Sequence, residues 1–198
     1  MQKKLLVAAL FSISATATMA QNNAQTNPFE GPSIGVSVSS VGGSTDLSGT
    51  RSANMGQQSV VPTIDAGYAF GLTKEVALGL TGTYDLADTK GGSDGSANLV
   101  GKKHYSINFK PGYVLGTSNM IYALLGYNRM SGTLNNNGYT GTSNLNGIGY
   151  GIGIETLLDK NIYLKVEGQQ VKYSSSTVSG VTFKPSTTIA TIGLGYKF

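Results

Sequence analysis

The sequence contains neither cysteine nor tryptophan, and only 12% of its 198 residues are charged. The absence of cysteine excludes a disulfide framework and any thiol metal site. Soluble domains typically contain about 25% charged residues, so this low charge content requires an explanation. The formal net charge of +4 is weak support for a nucleic-acid partner, and we expect none. The residue types present also suggest neither a metal nor a cofactor.

Long apolar runs are also missing, apart from one near the amino terminus. The segment "MQKKLLVAALFSISATATMA" has two lysines, an apolar stretch over residues 5–14, and small residues that lead to Ala20. This is the three-part pattern of a secretory signal peptide, and the apolar stretch is shorter than the ~20 residues of a membrane-spanning helix. We therefore predict a signal peptide over residues 1–20, cleaved after Ala20, and export from a bacterial cytoplasm.

The next segment, "QNNAQTNPFEGP", is polar and interrupted by Pro28 and Pro32. Such a composition predicts a disordered stretch. We therefore divide the exported chain into a short periplasmic lead over residues 21–31 and a folded region over residues 32–198.

The folded region alternates apolar and small or polar residues with a period of two. For example, Ile34, Val36 and Val38 alternate with serine and glycine. Alternation of this length predicts β-strands, and we find no convincing helix. Eight strands are predicted, over residues 33–41, 59–72, 75–88, 103–116, 119–132, 145–158, 160–174 and 187–198. The facing of strand 119–132 stays open because "MIYALLGY" is apolar on both sides.

The connections between these strands alternate in length. Short ones lie at residues 72–75, 116–119 and 158–161, and long ones at 42–58, 88–102, 132–145 and 174–186. An antiparallel meander has this pattern when all its tight turns lie at one end. The long segments are rich in Gly, Ser, Asn and Thr, which suits solvated loops. The fold class is therefore an all-β, eight-stranded, antiparallel up-and-down barrel with four long loops.

Alternation alone does not decide which face of the barrel meets water. A soluble exported barrel that binds a small apolar molecule would turn its apolar face inward, whereas an outer-membrane barrel turns it toward lipid. Strand lengths fit the ~9–11 residues of a transmembrane strand, and aromatic residues fall at two heights, as expected for belts at the two membrane interfaces. The predicted belts contain Phe70, Tyr84, Tyr105, Tyr113, Tyr122, Tyr150, Tyr163, Tyr173, Tyr196 and Phe198.

The polar face combines many glycines with a few charges. Glycine inside a narrow barrel leaves room for long side chains, which favours a lumen filled by its own residues. The predicted lumen network contains Asp65, Asp85, Lys110, Glu155, Lys165, Glu167 and Lys197. An eight-stranded barrel is only just wide enough to be filled by side chains, so we expect an ionic plug. The alternative is a narrow, porin-like channel.

Two segments carry a family resemblance: "GIGYGIGIETLLDKNIYLKVEGQQVKY", followed by "TTIATIGLGYKF", and "YSINFKPGYVLGTSNMIYALLGYNRM". They resemble strands of the small outer-membrane β-barrel proteins related to OmpA and the opacity surface antigens. The resemblance implies insertion by the outer-membrane assembly machinery, with loops exposed outside the cell. It also implies that Tyr196 and Phe198 form an assembly signal.

The seventh strand departs from the family pattern. That family usually carries aromatic residues where this chain has Gly168 and Gln170. A β-bulge near Gly168 would switch the phase of the strand and turn Val171 and Tyr173 outward. We therefore predict a bulge at this position.

One pair of residues is compatible with catalysis. His104 and Ser106 are spaced as in the eight-stranded lipid A deacylases, where such a pair supplies base and nucleophile. Here Ile107 follows the serine where those enzymes have asparagine, and no acid partner is evident. We therefore expect no enzymatic activity and keep lipid A modification through His104 and Ser106 as the alternative.

The expected partners are those of the outer membrane. Basic residues in or beside the loops, namely Arg51, Lys90, Lys102, Lys103 and Lys184, could meet lipopolysaccharide phosphates, although a solvated loop explains them equally. We predict a monomer with an envelope structural role, or one that uses its loops for adhesion or contact with an unknown extracellular ligand.

Overall fold

The computed structural model describes residues 27–48, 53–94, 97–136, 139–178 and 181–198. The predicted signal peptide, the first part of the lead and Arg51 lie outside these ranges. The strands are β1 (Gly31–Ser48), β2 (Ala53–Gly71), β3 (Val76–Asp85), β4 (Thr89–Asp94), β5 (Ala97–Leu115), β6 (Asn119–Asn136), β7 (Tyr139–Leu157), β8 (Ile162–Tyr173), β9 (Ser176–Val178) and β10 (Val181–Lys197). Within the described part of the chain, no helix has the length and apolarity to cross a membrane.

These strands form one closed antiparallel barrel. Each strand pairs with its neighbour in the order β1-β2-β3-β5-β6-β7-β8-β10, and β1 pairs with β10 to close the sheet. The short strands β4 and β9 continue the lines of β3 and β8 by pairing with β5 and β10. The barrel therefore has eight strands around its circumference, which confirms the predicted fold class.

Three tight turns lie at one end of the barrel. In the first, the Thr73 hydroxyl accepts hydrogen bonds from the backbone N–H groups of Glu75 and Val76, at 3.2 and 3.0 Å. In the second, Gly116 adopts a φ of +71°, a backbone conformation that glycine reaches without steric cost. Polar turn chemistry thus ends the strands where the sequence predicts.

At the opposite end, the segments predicted as loops largely continue the strands. The β1–β2 ladder extends to the pair Leu47–Ala53, and the β6–β7 ladder extends to Asn136–Tyr139. The strands therefore run on as long hairpins. Polar cross-strand contacts support them, since the Ser131 hydroxyl donates to Asn144 Oδ1 at 3.1 Å. Threonine and serine suit a pleated surface, so low hydrophobicity did not stop strand formation here.

The facing of strand β6, open from the sequence, is settled by burial. Met120, Tyr122 and Leu124 point into the barrel, whereas Ile121 and Leu125 are exposed on its outer face. Both faces of this strand meet apolar surroundings, which explains the continuous apolar run.

The bulge predicted near Gly168 is absent, and that prediction is wrong. The register of β8 with both neighbours is continuous through Gly168, so Val171 and Tyr173 lie inside the barrel. Gln170 stays on the outer face, where its side-chain oxygen accepts a hydrogen bond from Thr188 at 2.7 Å. Because this hydrogen bond satisfies the polar side chain of Gln170 on the outer face, β8 can keep its regular alternation.

The interior is layered rather than uniformly polar. Near the tight turns lies an apolar cluster of Phe29, Ala77, Val114, Met120, Tyr122 and Leu124. Near the hairpins lies a second apolar cluster of Val41, Val61, Val171, Tyr173 and Ile189. Buried charged side chains such as Asp65, Lys110 and Lys165 occupy the level between the two clusters.

The barrel interior as the candidate functional site

Two ion pairs cross the middle of the lumen. Lys110 Nζ lies 2.7 Å from Glu167 Oε1, and Lys165 pairs with Asp65. Lys165 and Asp65 are almost completely buried, with side chains 3% and 2% exposed. The Tyr122 hydroxyl also donates to Glu167 Oε1, at 2.7 Å. Burial of charge is tolerated when the partners are paired and hydrogen-bonded, and both pairs meet that condition.

Other members of the predicted network lie elsewhere. Lys197 Nζ donates to the backbone carbonyls of Pro28 and Glu30 rather than to a carboxylate. Glu155 lies opposite Lys165 in the β7–β8 ladder but forms no direct ion pair among the described residues. The predicted single network is therefore wrong in its connectivity. Among the residues that the structure describes, it consists of two crossing pairs, a separate lysine and a carboxylate that forms no ion pair.

Asp85 belongs to a second polar group nearer the hairpins. The His104 Nδ1 atom lies 2.8 Å from Asp85 Oδ2, and His104 Nε2 lies 3.1 Å from Asn128 Oδ1. Thr63 donates to the other Asp85 oxygen at 2.9 Å. The sequence missed this acid partner because it lies on the neighbouring strand, where the Tyr84–Tyr105 register places it beside His104.

Ser106 and His104 do not form a nucleophile–base pair. The Ser106 hydroxyl lies 2.7 Å from both the Thr83 hydroxyl and Asn108 Nδ2, and both nitrogens of His104 are engaged elsewhere. His104, Ser106 and Asn108 are buried in the barrel, and Thr83 is partly buried. A cavity of about 40 Å³ beside them has room for a few water molecules but not for a lipid.

Most of the predicted belt residues lie on the outer face. Phe70, Tyr84, Tyr105, Tyr113, Tyr150, Tyr196 and Phe198 are all exposed there. Tyr127 is also exposed there and was missed, because the facing of β6 was open. Whether Tyr196 and Phe198 act as an assembly signal stays a prediction.

Three tyrosines assigned to the belts instead point inward, which corrects that prediction. Tyr122, Tyr163 and Tyr173 are 4%, 2% and 7% exposed and lie inside the barrel. Their rings fit because glycines face them. An added Cβ atom at Gly153 would lie 2.5 Å from the Tyr122 ring, and one at Gly195 would overlap the Tyr163 ring. These glycines make room for aromatic rings as well as for lysine.

The end of the predicted disordered lead is ordered and closes the tight-turn end of the lumen. We call residues Asn27–Glu30 the mouth segment. The Phe29 side chain is 2% exposed and joins the lower apolar cluster. The Asn27 amide donates to the backbone carbonyls of Thr73, at 2.9 Å, and Val76, at 3.2 Å. The lone aromatic between two prolines was the only sequence signal for this role.

Apolar residues around the outside, aromatic rings at both rims and a closed ladder of hydrogen bonds define a transmembrane β-barrel. Consistent with this class, residues 5–198 match the family described as the outer membrane protein beta-barrel domain. The chain belongs to that family, which places it in the bacterial outer membrane.

Solved structures show the same fold at low sequence identity. Neisserial surface protein A is 16% identical, with a TM-score of 0.52 over 82% of this chain and 97% of its own. Ail of Yersinia pestis, in complex with the heparin analogue sucrose octasulfate, is 19% identical, with a TM-score of 0.50 over 85% of this chain and 99% of its own. No curated protein matches the sequence.

Proposed function

We propose that the protein is a sealed, non-catalytic outer-membrane barrel whose role lies in the envelope and at the cell surface. One observation carries this proposal: the lumen is filled across its width by buried, paired charges. Lys165–Asp65 and Lys110–Glu167 occupy the level at which a conducting barrel would hold a water column.

The periplasmic end supports the same conclusion. The mouth segment lies against the tight turns, with Phe29 packed into the lower apolar cluster. Lys197 ties the backbone of this segment to the last strand. A solute entering from the periplasm would have to displace both an aromatic anchor and a set of backbone hydrogen bonds, so the structure favours a plug over a narrow channel.

The geometry gives little support to lipid A modification. Acyl transfer requires a nucleophile within hydrogen-bond reach of its base, whereas His104 Nε2 contacts Asn128. A lipid would also approach from the outer face, and Ser106 is 3% exposed within the lumen. The pair is better explained as part of the polar filling.

The long hairpins are the surface through which a specific role would act. They extend past the outer tyrosines, and the β6–β7 hairpin presents exposed residues such as Gly141 and Asn144 on its outer part. The similar barrel Ail was solved in complex with the heparin analogue sucrose octasulfate, which supports the idea that a barrel of this fold can hold a ligand. We therefore propose surface contact as the specific role and leave the ligand open.

Electrical recording tests the sealed lumen directly. The folded barrel, inserted into a planar lipid bilayer, should give no stepwise current. A variant that combines Lys165→Ala with Phe29→Ala removes one crossing side chain and the mouth anchor. This variant is the control with a weakened plug. It is recorded only from preparations that run as the compact, folded form on unheated gels. Reproducible stepwise currents from the folded wild-type protein would contradict the proposal.

A further inference from the structure

Strand β5 contains a β-bulge that places two successive lysines on the outside of the barrel. The β5–β6 register shifts by one residue between Lys102 and Tyr105, and Lys103 has a φ of +52°. Lys102 and Lys103 are both exposed, whereas Gly101 and His104 on either side are buried. In a regular strand one of two successive side chains would point inward, so the bulge is what turns both lysines outward.

The backbone of Lys103 makes this arrangement unusual. A positive φ is uncommon for residues other than glycine, and Asn, Asp and His are the types enriched there. A long cationic side chain gains nothing from this conformation itself. Outliers of this kind concentrate at functional sites, which directs attention to what the side chain contacts outside the barrel.

A third cation lies beside the two lysines. Arg129 stands opposite Tyr105 in the ladder, on the outward side of β6. Among the described residues, the one ion pair at this patch joins Lys102 Nζ to Asp88 Oδ2 at 3.9 Å, and both side chains are about half exposed. Neither Lys103 nor Arg129 forms an ion pair among the described residues. One paired carboxylate against three cations therefore leaves most of the positive charge of this patch uncompensated.

The height of the patch matches the headgroup region of the outer leaflet. Exposed tyrosines such as Tyr105 and Tyr127 lie just below it, and such rings sit at the membrane–water interface. Lys103 is two residues farther along the strand, or about 7 Å at ~3.3 Å per residue. The cations thus reach the level at which phosphate groups of a membrane glycolipid lie.

We propose that Lys102, Lys103 and Arg129 form a binding site for a phosphate group of an outer-leaflet glycolipid such as lipid A. Two ammonium groups and a guanidinium can each donate charge-assisted hydrogen bonds to the phosphate oxygens. The bulge fixes the two lysines side by side before the lipid arrives, which lowers the cost of ordering the site. This site does not depend on whether the lumen is sealed.

The opposite wall of the barrel supplies a matched control. Lys172 and Lys184 are exposed near the outer ends of β8 and β10. Lys172 already lies 5.7 Å from the centre of the Tyr150 ring, and its strand is regular. Neutralising these two lysines removes cations from the same rim without touching the bulge.

The test measures lipid retained by the folded barrel. Detergent-solubilised wild type, the variant Lys102→Gln/Lys103→Gln/Arg129→Gln and the control Lys172→Gln/Lys184→Gln are titrated with bis-phosphorylated lipid A and with a phosphate-free synthetic analogue. We expect the triple variant to bind the phosphorylated lipid at least roughly tenfold more weakly, since it loses three charged contacts with the phosphate that each contribute modestly at an exposed site. The control should stay within about twofold, and the phosphate-free analogue should bind all three proteins equally.

Two results would overturn the proposal. One is an equal loss of affinity for phosphorylated lipid A in the control variant. Lipid binding would then depend only on the total positive charge at this end of the barrel. The other is unchanged lipid A binding by the triple variant. If that variant also loses binding of a soluble heparin fragment, the patch is assigned to sulfated polysaccharide instead. A Lys103→Gly variant separates geometry from charge, since it keeps the bulge and removes one cation. It should lose affinity while keeping the wild-type fold.

Discussion

Replacing Lys165 by methionine should be among the most destabilising single changes in the lumen. The variant keeps most of the side-chain volume but leaves the Asp65 carboxylate, 2% exposed, without its cation. Removing one partner of a buried ion pair typically costs 3–5 kcal/mol, so we expect about 4 kcal/mol. The nearby Glu155 and Glu167 add to this cost, because three carboxylates would share one remaining lysine at this level.

Removing the negative partner of this pair should destabilise the barrel less. Asp65→Asn removes the negative partner, but Lys165 still lies opposite Glu155 in the ladder. We therefore expect a loss of about 1–3 kcal/mol, as for a buried polar group that loses a partner. The double variant, with neither charge, should be more stable than Lys165→Met alone, which makes the two effects clearly non-additive.

Urea unfolding of the barrel in detergent, followed by the compact and extended bands of an unheated gel, measures these differences. Lys102→Met is the control, since the exposed Lys102–Asp88 pair should contribute less than about 1 kcal/mol. The reasoning would be refuted if Lys165→Met lost no more stability than this control, or if the two lumen substitutions simply added.

Two further substitutions test the filling of the lumen. Gly153→Val should cost about 1–3 kcal/mol through overpacking, because the added Cβ atom would lie 2.5 Å from the Tyr122 ring. The matched change Gly168→Val, on the outer face with no atom within 4 Å of the new Cβ, should be close to neutral in the same urea assay. Phe29→Ala should cost about 3–5 kcal/mol, as for other buried phenylalanines, and faster hydrogen exchange at the Thr73 turn should accompany it. A loss below about 1 kcal/mol would show that the mouth segment does not close the barrel.

The outer face was predictable because lipid imposes one rule on it. Every second residue of a spanning strand must be apolar, and residues 148–154 follow that rule without exception. Strand number, antiparallel order and tight-turn positions follow from it. The long hairpins were missed because their polar alternation carries no apolar signal, although backbone pairing extends the ladder just as well.

The interior was less predictable because its contacts depend on distant residues. The sequence placed Lys165 and Asp65 on the lumen face, but they are 100 positions apart, and only the barrel register brings them together. The inward tyrosines show the same limit. Tyr163 lies on the same face of its strand as Lys165, but an aromatic residue near a tight turn also suits a membrane belt. The residue that makes room for its ring inside the barrel, Gly195, is 32 positions away in the sequence.

A bulge was predicted in β8, near Gly168, but the structure has one in β5, between Lys102 and Tyr105. Gln170 suggested a change of phase because a polar side chain seemed out of place on the outer face, but at the outer end of β8 its bond to Thr188 satisfies it. At Lys102 and Lys103, both residues are polar, so no interruption of an apolar pattern marks the real bulge. Its trace in the sequence is indirect. His104 and Ser106 share the lumen face of β5, and continuing that phase backwards would have turned Lys102 into the barrel, away from its exposed ion-pair partner Asp88. The bulge is therefore recognised from the pairing register of β5 and β6 and not from the sequence pattern alone.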